Sequence, residues 1–159
     1  GKGKSTLYYY YQSKEQIFEE VLQKELQEVF IQTQFAVETV HSAEEKLKIF
    51  AVTRIKVLSN MLNLYRLVCG DFVEHASCAK GLFNEYSQKE INLIKSILEF
   101  GINSGEFSKA LTQEMDLLPS VVVSSIRGIE RDFFNDKLIG LEHRIGAISN
   151  LMVNGLKNK

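Results

Sequence analysis

Residues 3–18 read GKSTLYYYYQSKEQIF, and this stretch joins a basic, aromatic segment to the start of a long helix. Ser13 and Gln16 have the spacing of a capping box, in which the serine hydroxyl and the glutamine amide satisfy backbone N–H groups at a helix start. Apolar residues after that point recur at spacings that gather them on one helix face. We therefore expect a helix to begin at about Lys14 and to continue to about Val40.

The segment before this helix carries groups that contact phosphates. Lys2, Lys4 and Lys14 stand without an acid among them, and Thr6 and the four tyrosines at 8–11 add hydroxyl groups. Such side chains supply many of the phosphate contacts in protein–DNA complexes. A β-strand is the alternative for a run of tyrosines, but the chain offers no partner strands with which it would form a sheet.

The same stretch resembles the end of the helix-turn-helix in the TetR-type (tetracycline-repressor-like) transcription regulators, whose pattern reads roughly G-v-s-k-g-t-l-Y-y-h-F-x-s-K-e-e-L. Differences occur at Ser5, Tyr11 and Ile17, where the family often has Gly, Phe and Leu. The positions that match the pattern are Gly1, Lys4, Thr6, Leu7, Tyr8, Ser13, Lys14 and Glu15.

The resemblance implies that residues 3–10 form a recognition helix in the major groove of DNA. It divides the chain into residues 1–13, the C-terminal part of a helix-turn-helix domain, and residues 14–159, a connector helix followed by a ligand-binding and dimerisation domain. The first two helices of the head are expected upstream of Gly1. The implied DNA-binding residues are Lys2, Gly3, Lys4, Thr6, Tyr8, Tyr9 and Lys14.

The composition is that of one ordinary globular domain. The chain has 159 residues, of which 45% are hydrophobic and 25% are charged, enough to bury a core without disulfides. The formal net charge is −1, so the basic charge is local to the N-terminal segment. With two cysteines, no secretory signal and no run of about 18 apolar residues, we expect a cytoplasmic protein that does not enter a membrane.

Helical patterns continue to the end of the chain. Ser42 and Glu45 form a second capping box, and Gly105 stands where a left-handed residue ends a helix. Pro119 is tolerated only in the first turn of a helix, so it marks either a kink or a later helix start. We predict an all-α fold, with further helices over about residues 43–60, 64–76, 82–104, 112–133 and 138–156.

The last two predicted helices are apolar around more than one face. One face can meet the domain's own core, and small residues such as Ser124, Gly128 and Gly146 would let a second helix approach closely. In the resembling family these helices pair with the same two of a second subunit, which is a twofold interface. We expect a homodimer, with two thoroughly buried helices in a monomer as the alternative. The predicted interface residues are Val122, Ile126, Ile129, Leu141, Ile145, Ile148 and Met152.

Arginines interrupt the apolar stripes of the middle helices at Arg54, Arg66 and Arg127. A buried arginine needs a partner, which here is an internal acid such as Asp71 or Glu130, or an anionic effector. The alternative is that each arginine extends its guanidinium group to the surface or pairs with an acid there. In the resembling family a small-molecule pocket lies among these helices. The predicted ligand-binding residues are Phe50, Arg54, Leu58, Tyr65, Phe83, Tyr86 and Arg127.

Motifs for catalysis and metal binding are sparse. The sequence has no G-x-S-x-G, no phosphate-binding glycine loop, no H-E-x-x-H and no Cys-x-x-Cys. His75 and Cys78 share a helix face, but a buried cysteine near a half-exposed histidine is more ordinary than a metal site. We expect no catalysis, no cofactor and no metal.

The resemblance to the TetR-type regulators implies a DNA-binding repressor that a small-molecule effector releases from a double-stranded operator. The alternative is a ligand-sensing or interaction helical bundle without DNA-binding activity. A weaker alternative is an all-α enzyme that uses His75 with nearby acids. The sequence upstream of Gly1 discriminates between the first two, because a complete head requires two further helices.

Overall fold

The computed structural model describes residues 13–71, 76–134 and 141–157, with the side chains of residues 13–61, 80–130 and 145–157. Within these ranges every regular element is a helix, so the all-α prediction is confirmed for the part of the chain that is described. The elements are α1 (Lys14–Glu38), α2 (Ala43–Asp71), α3 (Ala76–Ser104), a 3-10 helix (Lys109–Glu114), α4 (Leu118–Phe134) and α5 (Leu141–Leu156).

The starts of α1 and α2 follow the capping predictions. The Ser13 hydroxyl accepts a hydrogen bond from the backbone N–H of Gln16 at 3.2 Å. The Ser42 hydroxyl accepts from the backbone N–H of Glu45 at 3.1 Å, and the Glu45 carboxylate accepts in return from the backbone N–H of Ser42 at 3.4 Å. Both helices therefore begin where their sequences place them.

Two boundaries predicted inside the middle of the chain are wrong. The backbone of α2 continues without a break past the pair Asn60 and Asn63 to Asp71, and α3 begins at Ala76, which places Gly81 inside a helix. Asparagine and glycine each cost a helix interior no more than about 1 kcal/mol. The helical turns on either side outweigh that cost.

The start of the helix that contains Pro119 lies later than Thr112. Thr112 belongs to the short 3-10 helix, and α4 begins at Leu118. Pro119 then stands in the first turn, where its missing N–H would have had no partner within the helix. Of the two interpretations of this proline, the later start is confirmed.

The chain reverses direction after α3 around a buried phenylalanine. Gly105 has a φ of 83°, the left-handed conformation that was expected to end this helix. The backbone N–H of Phe107 donates to the carbonyl oxygen of Gly101 at 2.9 Å, and the Phe107 ring is fully buried. A Cβ added to Gly101 would come within 2.2 Å of that ring, so only glycine fits beneath it.

Several helix ends meet at this turn. The Glu106 carboxylate accepts from the backbone N–H groups of Ala43 and Glu44 at 2.8 and 3.3 Å, which caps the start of α2. The Lys46 ammonium donates to the carbonyl oxygen of Val37 at the end of α1, at 2.8 Å. The backbone N–H of Ser108 donates to the Leu156 carbonyl at the end of α5, at 2.9 Å. We call this region, residues 101–108 with the helix ends that they hold, the closing end.

Helix α2 occupies the centre of the bundle, packing on α1, α3 and α5, whereas α4 packs mainly on α3. The main core is continuous with the closing end and includes Phe50, Ile94, Leu98, Phe107, Val123 and Val153. The first buried residue of α1 is Leu22, so its first two turns extend beyond this core. None of the helices in the described ranges is long and apolar enough to span a membrane.

Candidate functional site

Of the predicted DNA-binding residues, Lys14 alone lies in the described part of the chain. It is the first residue of α1, directly after the Ser13 cap, and its side chain is exposed. An exposed ammonium at this position can reach a phosphate. The predictions that lie outside the described residues are Lys2, Gly3, Lys4, Thr6, Tyr8 and Tyr9.

Four charged side chains from three helices meet inside the bundle: Arg54 of α2, Glu90 of α3, and Arg127 and Glu130 of α4. Arg54 Nε donates to Glu90 Oε1 at 2.6 Å, and Arg54 Nη1 donates to Glu130 Oε1. Arg127 Nη2 donates to the second oxygen of Glu90 at 2.7 Å. We call these residues the charge cluster. They connect α4 to α2 and α3 through charge-assisted hydrogen bonds.

Burial and pairing act against each other in the charge cluster. Arg54, Glu90 and Glu130 are buried. Burial alone would lower the pKa of Arg54, but the charges of Glu130 and Glu90 outweigh it and raise that pKa. Burial raises the pKa of Glu130, although the Arg54 guanidinium opposes that rise. The pairs are therefore needed because the charges are buried, and they do not show that burying them stabilises the fold.

Arg127 differs from the other three members. Its side chain is 32% exposed, whereas that of Arg54 is 8% exposed. Its Nε atom is nevertheless buried and finds no hydrogen-bond acceptor among the residues that the structure describes. The Arg127 side chain therefore extends from the interior to the surface. Its buried Nε–H group has no hydrogen-bond acceptor among the described residues.

The structure brings together two of the predicted ligand-binding residues, Arg54 and Arg127, through Glu90. Phe50 is instead fully buried in the main core. Tyr86 is buried with its ring edge-on to Phe30 of α1, at 6.5 Å between centroids. The remaining predictions in this set are Leu58 and Phe83, which are partly buried, and Tyr65, whose side chain lies outside the described part.

The acid that joins the two arginines was not predicted. Glu130 was named as a candidate partner and does pair with Arg54, but Glu90 holds both arginines. A sequence signal for Glu90 exists, because it falls between Tyr86 and Ile94 in steps of four, on the buried stripe of α3. A charged residue at such a position requires a buried partner.

An apolar groove opens between α4 and α5, with α2 as its floor. It holds about 210 Å³, and its lining is apolar except for Ser125 and Ser149. A smaller recess lined by Ile129, Ile145 and Ile148 continues it. Of the predicted interface residues, three are buried against the chain's own core (Val122, Ile126 and Ile145), three are partly buried (Ile129, Ile148 and Met152), and Leu141 begins α5 with its side chain outside the described part.

The surface beside this groove is partly apolar. Leu151 of α5 is 75% exposed, and Leu117 and Val121 at the start of α4 are also exposed. Ser124, Ser125, Gly146 and Ala147 are exposed small residues on the same two helices. The six predicted interface residues whose side chains are described thus line the groove or the recess that continues it, and these other residues form its rim. Whether a second subunit covers them stays a prediction.

The region of His75 and Cys78 gives no site that can be described. His75 and the side chain of Cys78 lie outside the described residues. Among the residues that are described, no group of three or more His, Cys, Asp or Glu side chains is placed to hold a metal ion.

No family model, curated protein or solved structure matches this chain. The resemblance to the TetR-type regulators therefore rests on the matching residues between Gly1 and Glu15.

Proposed function

We propose that this chain is the regulatory body of a TetR-type transcription regulator that acts in the cytoplasm. As a homodimer it would bind a double-stranded DNA operator and be released by a small-molecule effector, which makes it a repressor that acts by binding and not by catalysis. The observation that carries this proposal is the start of α1. Its Ser13 cap and exposed Lys14 follow directly on the stretch that resembles a recognition helix, and the same helix continues for 25 residues into the bundle.

The second subunit of the proposed dimer would cover the groove and its rim. Apolar side chains such as Leu151 and Val121 lie beside an apolar groove on the same surface. A twofold interface requires this kind of self-complementarity, because each subunit must present both the projecting residues and the surface that receives them.

DNA binding is tested with a protein that carries a complete helix-turn-helix head, using a labelled fragment of its own promoter region and fluorescence anisotropy. We expect Lys14→Ala to weaken binding to all sequences and to reduce the dependence of log K on log salt by about 1, as loss of one phosphate contact requires. Lys95→Ala is the matched control, since Lys95 is an exposed lysine far along α3.

Equal affinity and equal salt dependence for Lys14→Ala and the unaltered protein would show that α1 does not begin at a DNA interface. If the protein with a complete head failed to bind DNA at all, the alternative of a ligand-sensing or interaction bundle would replace this proposal.

The dimer is tested by sedimentation of the 159-residue chain at micromolar concentration. Leu151→Glu should shift the chain from dimer to monomer without unfolding it, because the side chain is 75% exposed in a single subunit and a charge in a packed apolar interface cannot be hydrated. Phe35→Glu is the control, since Phe35 is equally apolar and 69% exposed but lies on α1. A monomeric unaltered chain would contradict the dimer.

A further inference from the structure

Helix α1 has an apolar surface on the side that faces away from the bundle. Its buried residues, among them Leu22, Val29 and Val37, lie on the side where the helix packs on α2 and α3. Ile31 and Phe35 lie on the opposite side of the same helix and are 49% and 69% exposed. The helix therefore presents a second apolar surface in addition to the one that its own core covers.

This second surface continues toward the start of α1 as one stripe. Alternating steps of four and three residues keep side chains on one side of a helix, and two helices pack together through this spacing. The residues that follow these steps are Ile17, Val21, Lys24, Glu28, Ile31 and Phe35. We call them the outer seam. Its first two residues are partly buried, the other four are exposed, and the seam is about 27 Å long.

The outer seam is complementary to an antiparallel copy of itself. With a twofold axis midway between Lys24 and Glu28, Lys24 of each copy meets Glu28 of the other, and symmetry makes this ion pair twice. In the same register Val21 meets Ile31, and the two ends of the seam, which are also apolar, meet each other. A parallel copy would instead place Lys24 against Lys24 and Glu28 against Glu28, which is unfavourable.

The two central charges are available for such pairs. Lys24 Nζ lies 3.0 Å from Glu20 Oε1, and the two side chains are 73% and 41% exposed. Glu28 Oε1 accepts a hydrogen bond from the exposed Gln32 amide. Because an ammonium has three N–H donors and a carboxylate has two oxygens, Lys24 and Glu28 can keep these contacts while pairing across the axis.

We propose that the outer seam is a self-association surface, on which α1 of one copy packs antiparallel to α1 of a second copy. It is separate from the groove, since α1 packs on α2 and α3 and the groove opens between α4 and α5. Two helices in contact over about 27 Å form a small interface of the weak class, and the acids Glu20 and Glu25 flank it, so we expect a Kd of about 0.1 to 1 mM. At micromolar concentration the seam is therefore unpaired.

The test is sedimentation equilibrium of the 159-residue chain that carries Leu151→Glu, so that the groove contact is removed, at about 0.02 to 1 mM. Lys24→Glu and Glu28→Lys each replace both ion pairs by like-charge pairs, and each should weaken association about fivefold. The two substitutions in one chain exchange the signs of both pairs and should return the affinity to within about twofold of the starting value.

Two further variants separate the seam from general effects of charge. Ile31→Glu places a charge in the apolar part of the seam and should weaken association at least about tenfold. Lys95→Glu makes the same charge reversal as Lys24→Glu at an exposed lysine of α3, and it should change the affinity by less than about twofold. Circular dichroism checks that each variant keeps its helix content, which is expected because the substituted side chains are exposed.

A Leu151→Glu chain that stays monomeric at about 1 mM would overturn the inference. Equal effects of Lys24→Glu and Lys95→Glu, or a double variant as weak as the single ones, would also overturn it. The seam does not rest on the proposed function. Association through the seam in a protein whose complete form ignores DNA would retain the surface and reject the regulator, and DNA binding without association would do the reverse.

Discussion

The closing end and the charge cluster both connect α2 and α3 to other helices, but by different physical means. At the closing end the Phe107 ring fills the space above Gly101, and backbone hydrogen bonds fix the chain around it. In the charge cluster the contacts are between charges that must be paired because they are buried. Removing a packed side chain such as Phe107 leaves a cavity. Removing one charged side chain of the cluster leaves its partner unpaired, and a second substitution can remove that partner. The two regions should therefore respond differently to combined substitutions.

The largest effect is expected at the closing end. Phe107→Ala should lower the free energy of unfolding by about 4 kcal/mol, through lost transfer energy and a cavity that the glycine beneath the ring cannot fill. Urea unfolding followed by circular dichroism measures this loss. Phe35→Ala removes a phenylalanine that is 69% exposed and should change stability by no more than about 0.5 kcal/mol. Similar losses for the two variants would refute a packing role for Phe107.

The charge cluster should show a loss that can be reversed. Arg54→Met alone should cost about 3 kcal/mol, because it leaves Glu90 and Glu130 buried with too little positive charge. Adding Glu90→Leu and Glu130→Leu should restore stability to within about 1 kcal/mol of the unaltered chain, since the partly exposed Arg127 can then reach water. The same unfolding experiment compares the single and triple variants. A triple variant less stable than Arg54→Met would remove the distinction between the two regions.

The smallest effect on stability is expected at Glu44, which pairs with Lys48 and Lys157 near the closing end. Hydrogen bonds from Lys157 and Lys48 lower the pKa of the Glu44 carboxyl below its ordinary value of 4.5. A lowered carboxyl pKa contributes stability that is present above that ordinary value and is lost as the pH falls through the lowered one. Because solvent screens these partly exposed groups, Glu44→Gln should cost no more than about 0.5 kcal/mol at pH 7.

The difference between Glu44→Gln and the unaltered chain should disappear in acid and shrink in about 1 M salt. Unfolding measurements between about pH 3 and 7 provide the test. A difference that persists below the lowered pKa would show that Glu44 stabilises the chain by other means than its charge.

Local features of this fold could be predicted from the sequence, and long-range ones could not. The caps at Ser13 and Ser42 and the left-handed Gly105 depend on residues within a few positions of one another. Asn60 and Gly81 were given too much weight as helix breakers, because packing outweighs a propensity of about 1 kcal/mol.

The long-range failures have a common origin. Spacing shows which residues share a helix face, but not which element that face meets. For this reason Glu90 was missed although Glu130 was named, and spacing alone did not show that Ile126, on the stripe predicted to meet a second subunit, also packs in the chain's own core. The part of the site that joins α2, α3 and α4 needed the three-dimensional arrangement.

Lys46 holds the end of helix α1 at the carbonyl oxygen of Val37, and Lys14 at the other end of the helix lies about 35 Å away along its axis. Phe30, which contacts Tyr86 one turn before Glu90, lies about 10 Å from the held end. If α1 pivoted at Val37 as a straight rod, a shift of about 1 Å at Phe30 would move Lys14 by about 3 Å. Such a pivot would turn a side-chain movement beside the charge cluster into a displacement of Lys14 comparable to the length of a hydrogen bond.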